Sequence, residues 1–112
     1  MAVSRQEKVG KQVQKDLSEI LNAKGVSLVS AKMITVTAAR ITPDLSFAKV
    51  YLSIFPSNNA QKDVDILNEH LSVFRKELGN RMSNQLKSIP DFTFYLDDSL
   101  DYIEKIDKLL DN

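Results

Sequence analysis

Met33-Ile34-Thr35-Val36-Thr37-Ala38-Ala39-Arg40-Ile41 is followed by Thr42-Pro43-Asp44-Leu45 and then by Ser46-Phe47-Ala48-Lys49-Val50-Tyr51-Leu52-Ser53-Ile54-Phe55. The first run is rich in β-branched side chains and reads as a strand. Pro43 presets φ and Asp44 can bond its own backbone, so 42–45 reads as a turn. The next run alternates, with Ala48, Val50, Leu52 and Ile54 on one face and Phe47, Lys49, Tyr51 and Ser53 on the other. Two strands joined by so short a turn make a hairpin with one apolar side. That side requires a helical layer to cover it.

The flanking sequence supplies the helices. Val9, Val13, Leu17, Ile20 and Leu21 recur at spacings of three and four, predicting an amphipathic helix from about Ser4 to Ala23. Ser4 with Glu7 forms a capping box, and Gly25 reads as the stop. After Pro56-Ser57-Asn58-Asn59, residues 60–88 carry Val64, Leu67, Leu71, Phe74, Leu78, Met82 and Leu86. That is long for one globular helix, so a break is expected near 70–72 or at Gly79. Ile89-Pro90 ends it. Phe92, Phe94 and Leu96 alternate with Thr93 and Tyr95 as a third strand. Asp98 or Ser99 would cap a last helix bearing Leu100, Ile103, Ile106, Leu109 and Leu110. The order is α-β-β-α-α-β plus a terminal helix, that of a type II KH domain. The expected fold is a two-layer α+β, KH-like domain with an extra C-terminal helix, with residues 1–112 as a single domain.

Composition narrows the function. The 112 residues contain no cysteine, which excludes a disulfide framework, a thiolate metal site and a cysteine nucleophile. No apolar run approaches the ~20 residues that span a bilayer. Met1-Ala2-Val3-Ser4-Arg5 leads straight into charged residues without a signal-type segment. A cytoplasmic protein with no membrane association is expected. The formal net charge of zero hides an asymmetry, for residues 1–90 hold 13 basic and 8 acidic side chains while 91–112 hold 2 and 7. A basic body with an acidic end can still bind polyanions, since local potential matters more than the total.

Two stretches carry a family resemblance. Thr42-Pro43-Asp44-Leu45-Ser46-Phe47-Ala48-Lys49-Val50-Tyr51 resembles the hairpin of the ribosome-binding factor A family. Ile89-Pro90-Asp91-Phe92-Thr93-Phe94-Tyr95-Leu96-Asp97-Asp98-Ser99-Leu100 resembles its third strand and acidic turn. The opening helix, with Gln12, Gln14 and Leu17, is similar too. The resemblance implies a KH-like fold, no catalytic activity, and binding to the free small ribosomal subunit during late maturation of its rRNA. It also implies a kink in the central helix. Where the family usually has Ala-x-Gly, this chain has His70-Leu71-Ser72, and Ser lacks the backbone freedom of Gly. The Gly-x-x-Gly loop by which many KH domains clamp nucleotides is absent, the glycines being Gly10, Gly25 and Gly79.

Candidate RNA contacts follow from helix geometry. Lys8, Lys11 and Lys15 fall within roughly 60° of each other, opposite the apolar stripe, and can track phosphates. Exposed lysines are ordinarily just a solvated face. Lys76, Asn80, Ser83 and Lys87 share the side away from Phe74, Leu78 and Met82, and Asn80 adds donors suited to phosphate or ribose. Arg75 and Arg81 flank the apolar stripe and suit either RNA or ion pairs with Asp97 or Asp98. Lys49 and Tyr51 point to one side of their strand, where Tyr51 either packs or stacks on a base. His70, the single histidine, has no second His or any Cys to build an ordinary zinc site, and no nucleophile faces it for catalysis. The acids of 97–111 lack calcium-loop spacing and suit a helix N-terminus and a solvated face pointing away from rRNA or toward a basic ribosomal protein. The reading is a monomeric, cofactor-free rRNA-binding maturation factor of the small subunit, with ribosomal proteins as further partners. Its rival is a non-ribosomal nucleic-acid-binding or protein-interaction module of the same fold.

Overall fold

The computed structural model describes residues 4–84 and 89–97. In chain order these form α1 (Arg5–Ile20), β1 (Met33–Ile41), β2 (Phe47–Phe55), α2 (Ala60–Glu69), α3 (Leu71–Met82) and β3 (Asp91–Leu96). The terminal helix expected after Asp98 lies outside the described residues. β1 and β2 are antiparallel, β3 runs parallel to β2, and the sheet order is β1-β2-β3. This is the α-β-β-α-α-β order of an α+β, KH-like domain.

The hairpin forms for the local reason its residues suggest. Asp44 Oδ1 accepts from the Thr42 hydroxyl (2.7 Å), the Ser46 hydroxyl (2.8 Å) and the Ser46 N–H (3.1 Å). These bonds hold the Asp44 carboxyl below its ordinary range, the Thr42 hydroxyl first. Leu45 takes φ 62° to close the turn. Ser4 caps α1 by accepting from the Glu7 N–H at 3.1 Å.

Helices and strands bury their apolar sides against one another. Val9, Val13, Leu17 and Ile20 of α1, Val64 and Leu67 of α2, and Phe74, Leu78 and Met82 of α3 all join one core. They meet Ile34, Val36, Ile41, Ala48, Val50, Leu52, Ile54, Phe92 and Phe94 from the sheet. Phe94 is central, 5.7 Å from Phe74 edge-on and 5.5 Å from Phe92. Each such ring contributes roughly 1.5–3 kcal/mol by leaving water.

Three details depart from simple periodicity. The first helix does not stop at Gly25 with a left-handed cap. It widens into a π-type turn over Leu21–Gly25 and tightens over Val26–Leu28, with Gly25 at φ −86°. Gly25 is needed for space, because a Cβ there would lie 3.0 Å from Leu21 Cδ2 and 3.3 Å from Ile34 Cδ1. The central helix runs unbroken through Gly79 and breaks instead at His70, with φ −112° and ψ 22°. His70 Nδ1 lies 2.9 Å from the Ile66 carbonyl, and its N–H donates to the Leu67 carbonyl. β1 bulges between Val36 and Ala38, so Val36 faces Leu52 and Ala38 faces Tyr51.

Both sheet edges are met by helix side chains. On β1, Asn22 accepts from the Ile34 N–H (3.0 Å) and donates to the Ile34 carbonyl (2.6 Å). Gln14 donates to the Val36 carbonyl, Gln6 to the Ile41 carbonyl, and Ser18 Oγ accepts from the Val36 N–H. Gly10 permits this approach, since a Cβ would sit 3.1 Å from the Ala39 carbonyl oxygen. On β3, Asn68 exchanges the same pair of bonds with Phe94, both at 2.9 Å.

Candidate nucleic-acid interface

With one face of the sheet covered by helices, the outward sides of α1 and α3 form the surface of the helical layer. Lys8, Lys11 and Lys15 are all exposed there, opposite buried Val9, Val13 and Leu17. None of the three makes an ion pair with another described residue. Lys76, Asn80 and Ser83 are likewise exposed, turned away from Phe74, Leu78 and Met82. Lys87 lies outside the described residues.

The two arginines are held by acids, and by different acids from those expected. Arg75 Nε lies 3.2 Å from Asp91 Oδ1, at the start of β3. Asp97, at the other end of that strand, is about 20 Å further on at ~3.3 Å per residue. Arg81 pairs with Glu19, and its guanidinium lies 3.7 Å from Asp16 Oδ1. Asp16 is the buried charged residue of the described chain, and Gln12 also donates to it at 2.8 Å. The Glu19 hydrogen bond raises the pKa of Arg81 further. Beside this pair Lys24 Nζ meets Glu77 Oε1 at 2.6 Å and lowers the Glu77 pKa. The seam between α1 and α3 is therefore stitched by paired charges, and each arginine faces a carboxylate. Asp98 lies outside the described residues.

Lys49 and Tyr51 stand on the opposite side of the sheet, so the candidate residues divide between two surfaces. Tyr51 is half-buried against Tyr95, with ring centroids 5.7 Å apart. Lys49 Nζ sits 6.0 Å from the Tyr95 ring centroid. Sequence reasoning missed Tyr95 and Arg40 as neighbours of this pair. The alternation of Tyr95 against buried Phe92 and Phe94 was the available signal for the first, and nothing local marks the bulge that turns Arg40 outward. No cluster of three or more metal-ligating side chains occurs among the described residues, and His70 serves the helix break.

Fold and surface together define a KH-like domain whose helical layer presents exposed lysines, without ion pairs among the described residues, beside a seam of paired charge. Residues 5–110 match the family model for ribosome-binding factor A. The ribosome-binding factor A of Christiangramia forsetii is 43% identical over 106 residues, covering 94% of this chain and 81% of that one. That of Flavobacterium johnsoniae is 41% identical, covering 98% and 85%. The crystal structure of ribosome-binding factor A from Thermus thermophilus superposes with a TM-score of 0.68 at 19% identity, over 83% of this chain and 97% of that one. A Thermus thermophilus ribosome-binding factor A model fitted into a cryo-EM map of a 30S complex gives 0.61 at 20% identity, over 80% and 91%. The chain belongs to the ribosome-binding factor A family. Among the described residues no helix is long and apolar enough to cross a membrane.

Proposed function

We propose that this protein is a maturation factor that binds the small ribosomal subunit by its rRNA, through the outward ridges of α1 and α3. The observation that carries this reading is the row Lys8, Lys11 and Lys15, exposed and without acid partners among the described residues, in a chain of this family. Lys76 and Asn80 extend the row onto the neighbouring helix. The family name and the relative fitted into a 30S complex support the choice of partner.

The mechanism is stoichiometric. Phosphate contacts favour one rRNA conformation over its competitors, and the factor leaves when later folding removes that site. Processing of rRNA is then a consequence of holding its precursor in a cleavable form, with no bond broken by this chain. Arg75 and Arg81 act in the fold, and Lys76 with the α1 lysines supplies the charge.

Co-sedimentation with free small subunits, and not with whole ribosomes, is the expected result. With about four phosphates neutralised, log K falls with log salt at a slope near −3. A flat salt response would mean that protein contacts dominate and would remove rRNA as the partner.

A further inference from the structure

The far side of the sheet carries a second surface. Among the described residues no helix packs on it, and strand alternation places Arg40, Lys49, Tyr51, Thr93 and Tyr95 there. Backbone register aligns them in two rows across the strands. Arg40 pairs with Lys49, which pairs with Thr93; Ala38 pairs with Tyr51, which pairs with Tyr95.

Three observations give these rows a chemistry. First, the bulge at Thr37 changes the phase of β1. Simple alternation from Ile34 and Val36 would turn Ala38 and Arg40 toward the core. The bulge sends Ile41 inward and Arg40 outward, re-aiming a side chain as bulges commonly do. Second, Arg40 and Lys49 lie directly opposite each other, and like charges so placed repel. Neither makes an ion pair among the described residues; of the acids on this face Asp91 is held by Arg75, and Asp97 lines one end of it with Ala38, Arg40 and Tyr51, which leaves Lys49 as the cation further from a carboxylate. Third, the Tyr51 and Tyr95 rings lie side by side at 5.7 Å with planes only 34° apart, and Tyr95 is 39% exposed. Two neighbouring aromatic faces beside this pair of cations form a surface complementary to bases and phosphates.

We infer that this strand face is a second RNA-binding surface, taking unpaired nucleotides with bases on Tyr51 and Tyr95 and phosphates at Arg40 and Lys49. It extends the rRNA reading from the helical ridges to single-stranded segments. A duplex would be disfavoured, because its bases are already stacked on one another.

The test uses the full chain and a dye-labelled oligouridylate of about eight nucleotides, within the range that one small module covers, with a duplex of equal length for comparison. Anisotropy should show single strand preferred over duplex. Tyr51→Ala and Tyr95→Ala should each weaken single-strand binding about ten-fold. Tyr51→Phe and Tyr95→Phe, which keep the ring, should bind like wild type. Arg40→Gln with Lys49→Gln, at exposed positions that leave the core intact, should make the salt slope shallower by about 1.4. Amide shifts on titration should centre on residues 49–53 and 93–95. Equal affinity for duplex, unchanged binding in both Ala variants and the Gln pair, or no binding at all would overturn the inference. So would a dimer that Tyr95→Ala dissociates, since the face would then join two copies. None of these outcomes bears on subunit binding through the α1 lysines, so the two readings fail separately.

Discussion

The outward ridge of α1 and its seam with α3 contain the same kinds of side chain and do opposite things. On the ridge, Lys8, Lys11 and Lys15 face solvent with no acid among the described residues to hold them. A few residues on, Lys24 is bound to Glu77, and Arg81 of α3 is bound to Glu19 beside the buried Asp16. Position around the helix decides whether a cation is available to a phosphate or already neutralised. A count of basic residues overstates the charge a polyanion would meet.

The largest expected effect tests the ridge. Replacing Lys8, Lys11 and Lys15 together by Glu should weaken small-subunit binding by about 100-fold or more at moderate salt. The fold should persist, since exposed substitutions usually change stability by only about ±0.5 kcal/mol. If the triple variant binds like wild type, the ridge is only a solvated face and the comparison collapses. Lys76→Glu, a single charge on the neighbouring helix, should weaken binding by a smaller factor in the same assay.

The seam should respond in the other observable. Arg81→Met leaves Asp16 buried with Gln12 as its remaining bond, so the thermal midpoint should fall by a few degrees. The salt slope of subunit binding should not change. A reduced slope with unchanged stability would move Arg81 from the seam to the interface.

The smallest effect is in acid. Lys24 holds the Glu77 carboxyl below its ordinary 4.5, and Thr42 holds that of Asp44 below 3.8. Both therefore bind protons less readily folded than unfolded. Their stabilisation is complete above those ordinary values and is lost as pH falls through the lowered ones. Glu77→Gln should be slightly less stable than wild type near pH 7 and should lose less stability below about pH 4.5 in urea titrations, so that the two converge in acid. An identical acid limb in the variant would show that the Lys24 pair contributes nothing.

What could be read from sequence here is what repeats at short range. Strand 92–96, the buried face of 48–54 and the stripe from Val9 to Ile20 each follow a period of two or 3.6, and the structure buries their apolar side, while 33–41 was legible from its β-branched side chains. The lysine ridge was legible for the same reason, as the complement of an apolar stripe. The partners of Arg75 and Arg81 were not, because Arg81 and Glu19 are 62 residues apart and meet only once two helices pack. The sequence reading named Asp97 and Asp98, but Asp91, which is nearer to Arg75 along the chain, opens β3 at the end where Arg75 meets it. Length called for a break in 60–88, near 70–72 or at Gly79, and the family resemblance pointed to 70–72, where it falls. An exposed helical Gly costs only about 1 kcal/mol against Ala and does not force a bend. The bulge at Thr37 has no local signature at all, yet it decides which way Arg40 points.

Asn22 and Asn68 close the two edges of a three-stranded sheet by side-chain amides, each giving one donor and one acceptor as a neighbouring strand would. An edge strand ordinarily offers its free backbone groups to any extended peptide, including another copy of itself. Here the Ile34, Val36 and Phe94 N–H groups are already engaged. Their amide hydrogens should exchange with solvent as slowly as those of central β2, although they belong to outer strands. At these positions an added strand would have to displace a side-chain amide or hydroxyl before it could pair.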